Sequence, residues 1–229
     1  MTMKTSNIIL ISFLTFLFGG ITLLFIGSKY YKGIDNKADF AIQEKKTAPF
    51  SVVVAEPGAY LVLKNGKEFS VSQAYKKEEA PDLAPFEVRN DTLFVSVVKS
   101  RKDGEWFVIP EVYCKNVKSI LAKEKTNVTL RNYQVDSLSI SLNKSDFFWD
   151  FNKPAFVNIE AKNSNLHFDG DNIEKINLQF DKTKLYLNSQ KGAKMLSGSL
   201  ANDSYIDGVI VDGKINLGID NSSRMYFRN

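Results

Sequence analysis

The chain is poor in the residues from which most active sites are built. Its 229 residues include one histidine, His167, and one cysteine, Cys114. A lone cysteine forms no intrachain disulfide, so stability must come from packing and backbone pairing. One His and one Cys also fall short of a zinc-ligand set, and no metal or cofactor is expected. A Cys–His nucleophile needs the two side chains to meet. His167 lies between the apolar Leu166 and Phe168, a pattern that turns it out to solvent. No glycine-rich phosphate loop and no G-x-S-x-G elbow occur. Asp169, Asp171, Glu174 and Asp181 gather around Gly170, but without the spacing of a calcium loop. They read as a charged turn, and no catalytic residue is assigned.

Charge of one sign is lacking as well. Thirty Lys and Arg face 26 Asp and Glu, interspersed along the chain. No basic block with interleaved aromatics appears, which excludes the footprint of a nucleic-acid binder. The run "YKKEE" at 75–79 reads as a solvated loop.

Long hydrophobic runs are absent but for one. Residues 8–27, "IILISFLTFLFGGITLLFIG", carry no charge and match the roughly 20 residues that cross a bilayer as a helix. No A-x-A-like cleavage site precedes "SKYYKG". An uncleaved N-terminal membrane anchor is expected over 1–31 (span 8–27), followed by a tether over 32–49. Lys29, Lys32 and Lys37 follow the run and Lys4 precedes it, so the positive-inside count alone puts the body in the cytoplasm. A large polar β-rich body after an N-terminal span argues instead for export. The expectation is an inner-membrane anchor with the body facing the periplasm.

What is abundant is repetition. Segments beginning at Ser119, Leu138, Val157, Ile176, Leu196 and Ile215 follow at steps of 19, 19, 19, 20 and 19 residues. In each, the first, third and fifth places suit one short strand, and the tenth and twelfth a second. The third place runs Leu121, Ile140, Ile159, Leu178, Gly198, Leu217; the tenth runs Val128, Phe147, Leu166, Leu185, Tyr205, Arg224. Polar residues occupy the places between on the first strand, so one row faces inward and the other faces water. Between the strands lies a polar corner ending in Thr126, Ser145, Ser164, Thr183, Asp203 or Ser222, side chains suited to bonding a local bend. Strands this short cannot bury their apolar rows alone; stacking at about 4.8 Å makes one continuous core. The fold class expected is all-β, a single-stranded right-handed β-helix or β-solenoid of about six 19–20-residue rungs.

The solenoid domain is placed at 50–229, with regular rungs over 117–229 and a cap or opening rungs over 50–113. In that first part "YLVLKNGKEFSV" sets Asn65-Gly66 between alternating runs, a hairpin signal. "FEVRNDTLFVSVV" places a second turn at Arg89 to Thr92, and "KDGEWFVIPEVY" a third at Asp103-Gly104, with a strand ended by Pro110.

The stretches "NDTLFVSVV" and "FVIPEVYCKNVKSILAKEKTNVTL", with the polar-cornered repeats after them, resemble the "putative auto-transporter adhesin head GIN domain" family (DUF2807-like) of Bacteroidota. The resemblance covers about residues 50–229. It implies an exported right-handed β-solenoid and carries over no catalytic residues. The family's Ser-Gly corners are replaced here by Asn-Lys-Ser, Asn-Ser or Lys-Thr.

One row exceeds the bland pattern. The eleventh place should face solvent, yet it holds Thr129, Phe148, His167, Tyr186, Ile206 and Met225. Stacked, these make a mostly apolar outer stripe of the kind something normally covers: the chain's own 50–113 region, a protein partner, a second copy, or a sugar. The functional expectation is a non-enzymatic, membrane-tethered interaction, scaffold or adhesin-like module. The alternative is a carbohydrate-active enzyme or glycan-binding module, which would need acidic side chains converging in a groove.

Overall fold

A computed structural model describes residues 5–30, 40–77, 84–97, 109–150, 154–169, 173–188 and 193–228. The chain divides into two units, Met1–Phe40 and Ala41–Asn229. The first holds helix α1, Thr5–Tyr30, 26 residues long. Its described side chains are Asn7 and residues 11–25, all exposed. Thr15 and Thr22 donate their hydroxyls to the carbonyls of Ile11 (2.9 Å) and Phe18 (2.7 Å), satisfying both inside an apolar helix. Among the described residues no helix is long and apolar enough to cross a membrane. The span expected over 8–27 therefore lacks structural support.

The second unit opens with β1 (Phe40–Lys46), β2 (Val52–Ala55), β3 (Tyr60–Asn65), β4 (Ser70–Lys76), β5 (Phe86–Arg89), β6 (Thr92–Val95) and β7 (Glu111–Cys114). The repeats follow as β8 (Ser119–Ala122), β9 (Asn127–Arg131), β10 (Ser137–Asn143), β11 (Asp146–Asp150), β12 (Phe156–Lys162) and β13 (Asn165–Asp169). They continue as β14 (Lys175–Asp181), β15 (Lys184–Leu187), β16 (Ala193–Ala201), β17 (Tyr205–Val209), β18 (Val211–Ile219) and β19 (Arg224–Phe227). Even-numbered strands from β8 stack in parallel into one sheet, odd-numbered strands from β9 into another. This is a β-solenoid of about five turns. Leu142, Ala161 and Phe180 align across three rungs and are 2%, 3% and 3% exposed, one file of a shared interior. Burying a side chain the size of Leu142 or Phe180 stabilises the fold by about 1.5–3 kcal/mol, and the Ala161 methyl by less than about 1 kcal/mol.

The opening strands stack out of chain order. The pair β2/β3 lies parallel to β8/β9 on one side and to β6/β7 on the other. The chain thus leaves β7 and passes over a rung already occupied before starting β8. Antiparallel strands close this end: β5 pairs with β6 and β4 with β7, and β1 lies beyond β4. The Arg89 to Thr92 turn is a true hairpin, with Asn90 and Asp91 at φ 50° and 60°, as a primed turn requires. The Asn65-Gly66 hairpin is not formed, because β7 lies between β3 and β4. Pro110 directly precedes β7, and both the strand expected before it and the Asp103-Gly104 turn fall on residues 101–108, outside the described residues.

Corner length sets the phase of each rung. From the last inward residue of the first strand to the buried corner hydroxyl there are three steps in Leu142 to Ser145, Ala161 to Ser164 and Phe180 to Thr183. In Ala122 to Thr126, Leu200 to Ser204 and Ile219 to Ser223 there are four. The longer corners correct two expectations. In the first copy Ile120 and Ala122 point inward, not Ser119, Leu121 and Lys123. In the fifth, Asn202 and Asp203 both take positive φ (57° and 63°), where the middle corners use one such residue. The buried corner residue there is Ser204 rather than Asp203, and in the sixth copy it is Ser223 rather than Ser222.

The corner hydroxyls are buried, and those of Ser164, Thr183 and Ser204 both donate and accept. Thr183 Oγ1 lies 3.0 Å from the carbonyls of Ala161 and Asp181, as their donor, and accepts the Ser164 N–H at 3.4 Å. Ser164 Oγ donates to the Lys162 carbonyl (2.8 Å) and accepts the Ser145 N–H (3.2 Å). Ser204 Oγ accepts the Thr183 N–H (3.1 Å), and Ser223 Oγ the Ser204 N–H (3.2 Å). A column of hydroxyls thereby satisfies the buried amides that the bend takes out of the sheets.

Thr183→Val keeps the shape and leaves the buried Ser164 N–H without its acceptor, so it should destabilise folding by about 1–3 kcal/mol. Urea unfolding measures this, with the outward Thr129→Val as a control expected within about 0.5 kcal/mol. Gly198 has φ +122°, and a Cβ there would sit 1.8 Å from the Leu178 carbonyl oxygen. Gly198→Ala should therefore cost more than about 3 kcal/mol in the same assay, whereas Gly218→Ala, with nothing nearer than 3.8 Å, should cost under about 1 kcal/mol.

Candidate interaction surface

The two sheets turn different chemistry outward. On the even-strand sheet the row is polar: Asn177 Nδ2 donates to Asn158 Oδ1 (2.7 Å), and Ser197 Oγ to Asn177 Oδ1 (3.2 Å). On the odd-strand sheet Thr129, Phe148, His167 and Tyr186 fall in register on β9, β11, β13 and β15. Strand spacing near 4.8 Å is also a stacking distance for rings. Phe148 and His167 stack at 5.0 Å with planes 4° apart, and His167 and Tyr186 at 4.8 Å and 11°.

The upper end of the row departs from the sequence expectation. Ile206 registers with inward Leu185 and is fully buried, and Met225 registers with Ile206. Both belong to the core column, because the four-step corner shifts β17 and β19 by one place. The place in register with Tyr186 is held by Asp207, while Tyr205 registers with Lys184 and meets Tyr186 diagonally, edge-on at 5.5 Å, with Tyr226 6.5 Å beyond. The hydroxyls of Tyr186 and Tyr205 bond to each other. Burial and that bond push the Tyr205 phenol up to about 12. The signal for Tyr205 was present in the sequence: only Ser204 keeps the corner column made of hydroxyl residues.

The remaining chemistry-bearing residues do not converge. Cys114 is fully buried on β7, whereas His167 is exposed on β13. Burial pushes the thiol up to about 12, opposed by a bond from Tyr133. On the even-strand sheet Glu160, Lys162, Gln179 and Asp181 line an open depression of about 410 Å³. Asp181 is held below the usual carboxylate range by the Asn202 amide (2.9 Å) and by Lys162 (3.2 Å), so it is a poor proton donor. Glu174 pairs with Lys194 at 2.6 Å, and Asp171 lies outside the described residues. Among the described residues no three metal-binding side chains group together.

No family model and no curated protein matches this chain. Solved structures do. A protein from Bacteroides fragilis described as a "putative adhesin" aligns with TM-score 0.59 at 12% identity, over 82% of this chain and 97% of its own. A "putative adhesin" from Parabacteroides distasonis aligns with TM-score 0.45 at 8% identity, over 82% and 97%. A "putative cell adhesion protein" from Clostridium sporogenes gives 0.31 at 16%, over 82% and 98%. The first of these likenesses shows a shared fold.

The thiol supplies a test of the packing. With its value raised from 9.0 to about 12, folded Cys114 keeps its proton where the unfolded thiol has lost it. Its contribution to stability is full below pH 9 and declines as pH rises from there towards 12. Native protein at pH 8 should resist a thiol reagent for hours and react within minutes in denaturant; rapid native labelling would refute the buried placement.

Proposed function

We propose that this chain is a non-enzymatic, adhesin-like interaction module of the GIN-domain type, exported and tethered to the membrane by α1, with its body on the periplasmic side. The carrying observation is the outward stack of Phe148, His167 and Tyr186, extended by Tyr205 and Tyr226. A protein partner suits it better than a sugar. Carbohydrates pack on open ring faces, and here the inner faces are covered by neighbouring rings, leaving edges and the Tyr186–Tyr205 hydroxyl pair outward. The fold likeness to a "putative adhesin" favours the same reading. Against the carbohydrate-active alternative stands Asp181, held below the usual carboxylate range by Asn202 and Lys162 and so a poor acid catalyst in that depression. For the tether, Phe16, Leu23, Leu24 and Phe25 are 82%, 71%, 76% and 71% exposed, apolar surface that lipid would cover.

Phe148→Ser with Tyr186→Ser should leave thermal unfolding within a few degrees of wild type and abolish partner capture from the native envelope. Outright unfolding of the double variant would mean the row is core and would end the interaction reading. Protease should reach residues 32–229 in intact spheroplasts; protection there would place the body in the cytoplasm instead.

A further inference from the structure

The two ends of the solenoid are finished differently. At the β1–β7 end the chain closes its own parallel ladders with antiparallel strands, and the outermost strand, β1, carries Glu44, Lys45 and Lys46, charges that discourage further pairing. At the other end β18 and β19 are the edge strands of their sheets. Residues that would be core in any inner rung are bare: Ile215 and Ile219 are 40% and 42% exposed, against 1% for Leu196 and Leu200 one rung below. Phe227 is 58% exposed.

The exposed edge reads as its own complement. Residues 214–220 are Lys-Ile-Asn-Leu-Gly-Ile-Asp. Laid antiparallel on a second copy about a two-fold axis through Leu217, Lys214 falls opposite Asp220 of that copy and Ile215 opposite Ile219. Leu217 meets Leu217, and Asn216 meets Gly218. An axis normal to the sheet keeps each face on its own side, so both sets of apolar residues point into one joint interior. Lys214 and Asp220 are exposed; the Asp220 carboxylate is held in place by bonds from Asn202, Ser222 and Ser223, and the partner's Lys214 would pair with it once at each end of the contact. The chain's own far end already shows that antiparallel strands seal this kind of ladder. Like charges opposite each other would reject the match; here unlike charges specify it.

We propose that the β18 edge is a homodimerisation site, joining two copies end to end through antiparallel pairing centred on Leu217. A closed two-fold contact consumes both edges and stops at two, which removes the aggregation hazard of an open ladder. With strands about 30 Å long and sheets about 10 Å apart, the contact buries on the order of 1,000 Å² in total, the low end for a specific interface. Micromolar association is expected. The β1–β7 ends are left free, and Phe148, His167 and Tyr186 lie on inner rungs away from the contact.

The test uses the full chain in detergent, with disulfide trapping and light scattering. Opposed Leu217 residues bring Cα atoms to about 4.5–5.5 Å, within disulfide reach. Two copies of residue 214 would stand about 20 Å apart. Leu217→Cys should therefore form a covalent dimer on mild oxidation, and Lys214→Cys should not. Cys114, fully buried, stays out of the reaction. Lys214→Glu, an exposed substitution, should weaken the dimer at least about tenfold by setting Glu against Asp220, with unchanged circular dichroism. Equal trapping at 214 and 217, no trapping at 217, or a monomer at about 100 μM by light scattering would each overturn the proposal.

Discussion

Everything in this molecule depends on a bend that must be repeated without interrupting two sheets. A corner between stacked strands removes amide groups from the ladders, and stacking then buries them. The chain resolves this with a left-handed residue followed by an inward hydroxyl. Lys125, Lys144, Asn163 and Lys182 adopt φ of 59°, 51°, 49° and 50°, conformations that are unfavourable for residues other than glycine. The strain is offset because the next residue, Thr126, Ser145, Ser164 or Thr183, ties its own corner to a neighbouring rung. Glycine at the left-handed position would relieve the strain, but lysine and asparagine leave a solvated side chain outside and less backbone freedom to lose on folding.

The corner also governs which face each side chain takes. Side chains alternate along a strand, so one added corner residue exchanges inside for outside in one of the two strands it joins relative to the other. That is why Ile206 is core and Tyr205 is surface, and why Ile120 rather than Leu121 fills the first rung. A further adjustment follows at Asp207-Gly208, where the pairing of β17 with β19 slips between Ile206 and Val209. Gly208 takes φ +79°, and a Cβ there would fall 2.2 Å from the Leu187 carbonyl oxygen. Ile206 and Val209 can then both point inward, 0% and 1% exposed.

The aromatic row is a product of the same geometry. Parallel, in-register rungs hold equivalent side chains one strand spacing apart, which is close to the contact distance of two rings. The chain places Phe148, His167 and Tyr186 there and Asn158, Asn177 and Ser197 on the opposite sheet. One scaffold thus presents an apolar ladder on one side and a hydrogen-bonded polar ladder on the other. Function in such a fold is written on the outward rows, since the inward ones are committed to the core.

The repeat of 19–20 residues, the inward rows of β10, β12 and β14, and the three central members of the outer stripe were all legible in the sequence. Each follows from the two-residue period of a strand and a constant corner, and both are local. The order of the opening rungs was not legible. That β2 and β3 lie between β6/β7 and β8/β9 depends on which edges meet in space, and Asn65-Gly66 carries a hairpin signature regardless of whether β7 separates its strands. The phase of β17 was signalled only by Ser204, because a constant spacing between first strands conceals a corner that has lengthened by one residue. Local alternation decides that a strand has an inside, whereas the packing of the rung beneath decides which residues occupy it.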